Sequence, residues 1–252
     1  MTLLSVNVGR ARAVEYTDSA SGTTGIDKRP VDGPVRIEDP GPPGVGAGGL
    51  AGDSVCDLRF HGGRDRAAYA FAREDLDRWE AELGRPLANG SFGENLTTLG
   101  LDVNGALIGE RWRIGDDVVL EVTGGRIPCR TFGGFVGEKG WVKRFTRSTA
   151  GPGALLRVIE PGEIRAGDPI TVVHRPDHHV TVAVLHHAAT AERTLLPGTL
   201  AAAEWMESGL LALARRYADA YGDGRGGADG GAGQGEDHAA DGGADGGADA
   251  AP

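Results

Sequence analysis

From Leu3 to about Val173 the apolar residues come in short runs, and glycine separates nearly every run from the next; the whole chain of 252 residues holds 43 glycines. A chain punctuated so often cannot build long helices, and many short strands at regular spacing read as a β-barrel or sandwich. Leu3 to Val8 reads as an opening strand. Val55 to Phe60 alternates, with Cys56, Leu58 and Phe60 on one face and Val55, Asp57 and Arg59 on the other, which predicts a second strand. Trp112 to Ile114 leads into a Gly115-Asp116 turn, after which Val118, Leu120 and Val122 share one side of a strand running to Thr123. Ala154–Ile159 and Ile170–Val173 follow, joined through the turn signals Pro161-Gly162 and Gly167-Asp168.

One helix interrupts the strands. Leu76, Trp79 and Leu83 share a helical face, Glu74 and Asp75 sit where the helix dipole favours acids, and Gly84 with Pro86 ends the element. Ile37 to Gly52 is rich in Gly and Pro and is expected to be a mobile loop. After His174 the pattern turns helical: Leu195, Leu196, Leu200, Trp205, Met206, Leu210, Leu211, Leu213 and Ala214 fit two or three short helices around Pro197 and Gly209. From Ala218 on, Gly, Ala and Asp repeat loosely, without apolar residues to offset the entropy of ordering, so a disordered, solubilising tail is expected. The expected organisation is a β-barrel domain over 1–175, a small helical domain over 176–217 and the tail over 218–252.

The tail also explains the charge. It holds eight acids and one base, so it carries −7 of the net −10, and the body is nearly balanced. No basic footprint for nucleic acid exists. No run is long enough to span a bilayer, and the first residues lack an export signal, which points to a cytoplasmic protein whose two cysteines, Cys56 and Cys129, stay reduced.

Three segments carry candidate chemistry. His61-Gly62-Gly63 follows the Val55–Phe60 run; its glycines permit a sharp turn and close approach to a ligand, and the histidine can donate a hydrogen bond at neutral pH. A simple strand-ending turn is the alternative. Phe92-Gly93-Glu94-Asn95-Leu96-Thr97-Thr98 packs an amide, a carboxylate and two hydroxyls between apolar anchors, suited to a phosphate or a heterocycle edge, or to a capped turn. In Arg126-Ile127-Pro128-Cys129-Arg130 the proline removes a ladder donor, so the strand should end there and leave Cys129 at a rim. Two neighbouring guanidiniums favour the thiolate, a soft ligand for thiophilic metals, although single cysteines are often buried hydrophobes. The histidines at 174, 178, 179, 186 and 187 lack a cysteine or carboxylate at metal-ligand spacing, and no Gly-x-Ser-x-Gly elbow supports hydrolysis.

In order and spacing these segments resemble the MOSC domain, named for the C-terminal domain of molybdenum cofactor sulfurase. The likeness is carried by Leu4 to Gly9, Lys28 to Val35, Gly52-Asp53, Asp57 to Gly63, Phe92 to Thr98, Pro128-Cys129, Arg157 to Glu163 and Ala166 to Asp168. It is nearest to the stand-alone bacterial branch that reduces N-hydroxylated bases such as 6-hydroxylaminopurine. The resemblance implies a β-barrel with a molybdopterin (molybdenum cofactor) in a rim cleft and Cys129 as molybdenum ligand or sulfur carrier. It implies that Asn95 and Thr97 hold the pterin or its phosphate and that His61 and Gly62 lie at the same site; Arg126 and Arg130, by their proximity in sequence to the cysteine, are expected to offset negative charge on the cofactor. It further implies a small-molecule substrate, an electron-donating reductase as partner and a possible homodimer, with pyridoxal phosphate binding and detoxification as family-level associations only. A persulfide carrier for metallocofactor assembly, or a non-catalytic cofactor-binding module, are the alternatives. Gly125 before Arg126, Arg130 after the cysteine, Ala154-Leu155-Leu156 and Cys56 depart from the usual pattern.

Overall fold

The computed structural model describes residues 1–221. Its strands are β1 (Thr2–Gly9), β2 (Arg12–Ala13), β3 (Thr23–Thr24), β4 (Lys28–Pro30), β5 (Val35–Ile37), β6 (Ala68–Ala72), β7 (Leu96–Leu99), β8 (Arg111–Ile114), β9 (Val118–Gly125), β10 (Ala154–Glu160), β11 (Gly162–Ile164) and β12 (Ile170–His174). The α-helices among the described residues are α1 (Arg73–Leu83), α2 (Arg130–Val136), α3 (Trp141–Arg147), α4 (Val182–Thr190), α5 (Leu196–Thr199) and α6 (Ser208–Tyr221).

Eight strands form one mixed sheet in the order β12-β8-β9-β10-β6-β7-β1-β4. Every pairing is antiparallel except β6 with β7, which run parallel and are joined through α1 as a β-α-β crossover. The sheet curls until its ends nearly meet. Leu3 N donates to Asp168 O at 2.9 Å, Ile170 N to Met1 O at 2.9 Å, and Thr2 bridges Pro169, so the head of β12 returns to β1. This is the expected mainly β architecture of a curled, nearly closed sheet, with the closing seam made by single bridges rather than a full strand pair. The turn expected at Pro161-Gly162 carries a short strand as well: β11 pairs with β5, Gly162 against Ile37.

Val55–Phe60 is not a strand. No neighbour offers it a ladder, and its backbone folds back on itself, with His61 N donating to Asp57 O at 3.0 Å. The strand of this region is β6, Ala-Tyr-Ala-Phe-Ala, whose five residues are all buried. Burial on both faces removes the alternation that identifies half-exposed strands. The Gly/Pro-rich stretch is laid down by hydrogen bonds rather than left free: Glu38 N donates to Gly49 O at 3.0 Å, Gly49 N to Ala67 O at 2.7 Å, and Gly63 N to Ala47 O at 3.0 Å. Helix α1 forms as its spacing predicts, with Leu76 and Trp79 buried and Gly84 in the left-handed region (φ 65°) donating to Glu80 O.

Two cores lie on the sheet. One fills the curled face with Leu3, Val6, Leu96, Ile108, Trp112, Leu120, Val122 and Leu156, and it also takes in Val182, Leu185, Met206 and Leu210 from the C-terminal helices. Those helices therefore share the principal core, with a small cluster of their own at Ala188, Leu196 and Ala214. The other core is aromatic. Tyr69, Phe71, Trp79, Phe92, Phe132, Trp141 and Phe145 pack between α1, α2, α3 and the strands. Phe132 meets Phe145 edge to face at 5.0 Å and Phe92 at 5.5 Å, a geometry the aromatic quadrupole favours. Helix α6 continues through Ala218 to Tyr221, past the point where the tail was expected to begin; the remainder of that tail lies outside the described residues.

Candidate active-site cleft

A cleft of about 660 Å³ opens where several loops converge. Its walls come from Gly25–Lys28, the 53–67 segment, Gly93 and Asn95, the loop after β9, and the start of α6. Of the residues expected at a site, His61, Gly62, Asn95, Arg126 and Cys129 all line this one cleft, and Thr97 does not.

Cys129 sits where the proline argument places it. Strand β9 ends at Gly125, the Arg126–Pro128 stretch leaves the sheet, and Cys129 is the half-buried N-cap residue of α2. Beneath it lies the aromatic core, which fixes the loop from below. Arg130, expected beside the thiol, instead turns to Asp18 at 2.5 Å. Arg126 is held by aromatic faces, its guanidinium carbon 4.0 Å from the Phe132 ring centre and 5.0 Å from that of Tyr69, while Nη1 donates to Phe92 O.

His61 lies at the mouth and Gly62 behind it. His61 is exposed at its surface, and the protein packed around it, with the charges of Arg126 and Arg66, lowers its pKa, so the ring is neutral near pH 7. Gly62 has φ 76°, and a Cβ there would stand 2.5 Å from Ala47 O, so the turn requires glycine.

Asn95 is already committed. Its Oδ1 accepts from Tyr69 N at 3.2 Å, and its Nδ2 donates to Asn7 O at 3.3 Å and Asp53 Oδ2 at 3.0 Å. Thr97 is fully buried on β7, donating to Glu94 Oε1 and accepting from Asn7 Nδ2, each at 3.0 Å. Glu94 in turn accepts from Gly90 N and Phe92 N, and burial raises its pKa against those hydrogen bonds. The Phe92–Thr98 segment is thus a bonded turn followed by a strand, and it reaches the cleft through Gly93 and Asn95.

Sequence reasoning missed much of the wall. Lys28, 8% exposed, donates from Nζ to both oxygens of Asp53 at 2.5 Å, and Gly9 N donates to Asp53 Oδ1 at 2.8 Å. Burial pulls the Lys28 pKa down and Asp53 opposes it. Lys28 carried one available signal: lysine is rare in this arginine-rich chain, and no other occurs before Lys139. On the opposite wall Arg66 reaches Glu207 at 3.1 Å and bonds Phe60 O, while Asp65 pairs with Arg157 at 2.9 Å and accepts from Ser208 N at 3.1 Å. Glu207 also caps α6, accepting from Gly209 N and Leu210 N at 2.9 Å each. Among the described residues no three His, Cys, Asp or Glu side chains group as a metal cage, and no helix is long and apolar enough to cross a membrane.

Comparison with known proteins bears on this geometry. The MOSC domain family model matches residues 57–171, a span that includes His61, Gly62, Asn95, Thr97, Arg126 and Cys129. The uncharacterized protein YflK of Bacillus subtilis (strain 168) is 33% identical over 181 residues, which are 72% of this chain and 77% of that one. A protein of Gibberella moniliformis named as a reductase is 32% identical over 178 residues, but they make up only 29% of its length. The crystal structure of YiiM from Geobacillus stearothermophilus superposes with a TM-score of 0.67 at 25% identity, covering 86% of this chain and 98% of that one. The chain belongs to the MOSC domain family, and the relatives matched along most of their length set it beside the stand-alone bacterial members.

Proposed function

We propose that the cleft binds a molybdopterin cofactor and that the protein reduces N-hydroxylated compounds, including N-hydroxylated bases such as 6-hydroxylaminopurine, to amines. The observation that carries this reading is the convergence of a free, half-buried thiol, Cys129, with a guanidinium, Arg126, that has no carboxylate partner among the described residues. A soft sulfur ligand suits a thiophilic metal, and an unneutralised cation suits an anionic cofactor. One cysteine thiolate, beside ligands carried by the pterin, would hold the metal. The cleft volume is also ordinary for a cofactor-sized ligand.

The net conversion is R–NHOH + 2 e⁻ + 2 H⁺ → R–NH₂ + H₂O, and the bound molybdenum would supply the two-electron, oxygen-accepting chemistry. The chain's own share is placement. Phe132 and Tyr69 hold the Arg126 guanidinium in one orientation, so it meets negative charge without reorganising. Neutral His61 adds a hydrogen-bonding group at the mouth without adding charge. Asn95 locks Asp53, and Asp53 locks Lys28, so that wall is rigid before any ligand arrives. Electrons come from a partner reductase, and the free thiols suit a reducing, cytoplasmic setting.

Elemental analysis of protein made in a cofactor-competent host tests the assignment. Stoichiometric molybdenum is expected in the wild type and its loss in Cys129→Ser, with loss of N-hydroxyl reduction by a chemical electron donor. Full metal and activity in that variant defeat the ligand role. Protein that purifies without molybdenum but with cyanide-labile sulfur is a persulfide carrier instead, and metal without turnover marks a binding module.

A further inference from the structure

The charges of the cleft are nearly all cancelled within the protein. Five carboxylates line it, and each has a cation at hand: Asp18 with Arg130 at 2.5 Å, Asp53 with Lys28 at 2.5 Å, Asp57 with Arg59 at 2.8 Å, Asp65 with Arg157 at 2.9 Å, and Glu207 with Arg66 at 3.1 Å. Of the lining cations only Arg126 lacks such a partner among the described residues, and His61 is uncharged near neutral pH. An anionic cofactor at Arg126 leaves no free cation for a second anion. A carboxylate or phosphate entering afterwards would lose its hydration with nothing to pair it.

The mouth is apolar where a substrate would pass. Phe60 is 61% exposed and Ile127 is 44% exposed, and both belong to the cleft lining along with Val55, Leu58 and Leu210. The Arg59 guanidinium carbon, paired with Asp57, stands 5.2 Å from the Phe60 ring centre, and the rest of this exposed ring offers a stacking surface at the cleft entrance to a flat ring. Its backbone is fixed, since Phe60 O accepts from Arg66 Nη1, whose other terminal nitrogen is tied to Glu207.

We propose that the outer cleft selects uncharged aromatic N-hydroxylated compounds and rejects those bearing a carboxylate or phosphate, with Phe60 and Ile127 as its specificity-determining contacts. The inference rests on the reductase reading for the N-hydroxyl group and on an anionic cofactor at Arg126 for the rejection of anions, while the apolar contacts belong to the cleft itself. Binding and turnover therefore test it separately. Calorimetry on the full chain made in a cofactor-competent host and carrying molybdenum should detect adenine and aniline at least tenfold more tightly than adenosine 5′-monophosphate and 4-aminobenzoate. Phe60→Ser and Ile127→Ser should each weaken the neutral ligands about tenfold while leaving molybdenum content unchanged. Turnover with a viologen donor should follow the same order for phenylhydroxylamine against 4-hydroxylaminobenzoate, the variants raising KM more than they lower kcat. Equal binding of neutral and anionic ligands, or variants indistinguishable from wild type, overturns the proposal. Selective binding without reduction of any N-hydroxylated compound leaves the selectivity standing and removes the reductase reading instead. Because the donor is a small molecule, an effect through docking of a protein reductase at Phe60 would leave these measurements unmoved, and that result also overturns the proposal.

Discussion

His186 is the side chain whose protonation the fold resists most directly behind the cleft. It lies on α4 and is 6% exposed, and its Nδ1 is buried without a hydrogen-bond partner among the described residues. It packs against Gly125, the last residue of β9 before Arg126; a Cβ at Gly125 would sit 3.3 Å from its own. Burial and the neighbouring charge of His187 pull its pKa down to about 4 from the ordinary 6.5, despite the backbone carbonyl side of Arg126 and Thr146 favouring the charged form. The folded state therefore binds this proton less tightly than the unfolded chain. The stabilisation is fully present above pH 6.5 and is lost as pH falls from 6.5 towards 4. At 1.36 kcal/mol per unit the difference amounts to ~3 kcal/mol, which for a chain of this size is roughly 6–12 °C in Tm. His61 titrates in the same direction, so wild type and a variant must be compared at each pH. His186→Leu removes both the titrating ring and its unpaired nitrogen. Urea unfolding at pH 7.5, 6, 5 and 4 should show wild type losing ~3 kcal/mol more than the variant across that range. Parallel curves would refute the assignment of acid lability to this ring.

Two further perturbations separate scaffold from ligand contacts. Gly62→Ala forces an L side chain to φ 76° and drives a Cβ to 2.5 Å from Ala47 O, so thermal denaturation should show a loss of ~1–3 kcal/mol; an unchanged Tm would mean the turn relaxes freely. Thr97→Val removes a donor to Glu94 and an acceptor for Asn7, costing ~1–3 kcal/mol in urea unfolding, while molybdenum per folded molecule stays at the wild-type level; normal stability with lost metal would reinstate Thr97 as a cofactor contact.

What the sequence made legible follows from how far each signal reaches along the chain. The place of Cys129 in the fold was legible because its cue is local: a strand, a proline and a thiol within a few residues, and β9 ends at Gly125, shortly before that proline. Helix α1 was legible because its apolar spacing and its Gly84 stop lie within one element. Strand β6 was not, since Ala68–Ala72 is buried on both faces and shows no alternation, whereas Val55–Phe60 alternates without any partner strand. Helices α2 and α3 escaped notice because Gly133 and Gly134 weaken the first. Gly134 is there for tertiary reasons, as a Cβ would stand 2.3 Å from that of Tyr16. The pairing of Lys28 with Asp53 and of Arg66 with Glu207 depends on chain crossings that no local pattern encodes.

The wall built by Glu207–Leu210 dates the cleft within the life of the polypeptide. Cys129 leaves the ribosome roughly 80 residues before that wall exists, an interval of ~4–16 s at ordinary elongation rates. Until α6 arrives, Arg66 lacks Glu207 and Asp65 lacks the Ser208 amide, so the nascent chain offers a bare thiol but no enclosed compartment. A group that needs the complete cleft finds it only once Glu207–Leu210 have been made, and any agent that reaches the thiol earlier competes with it.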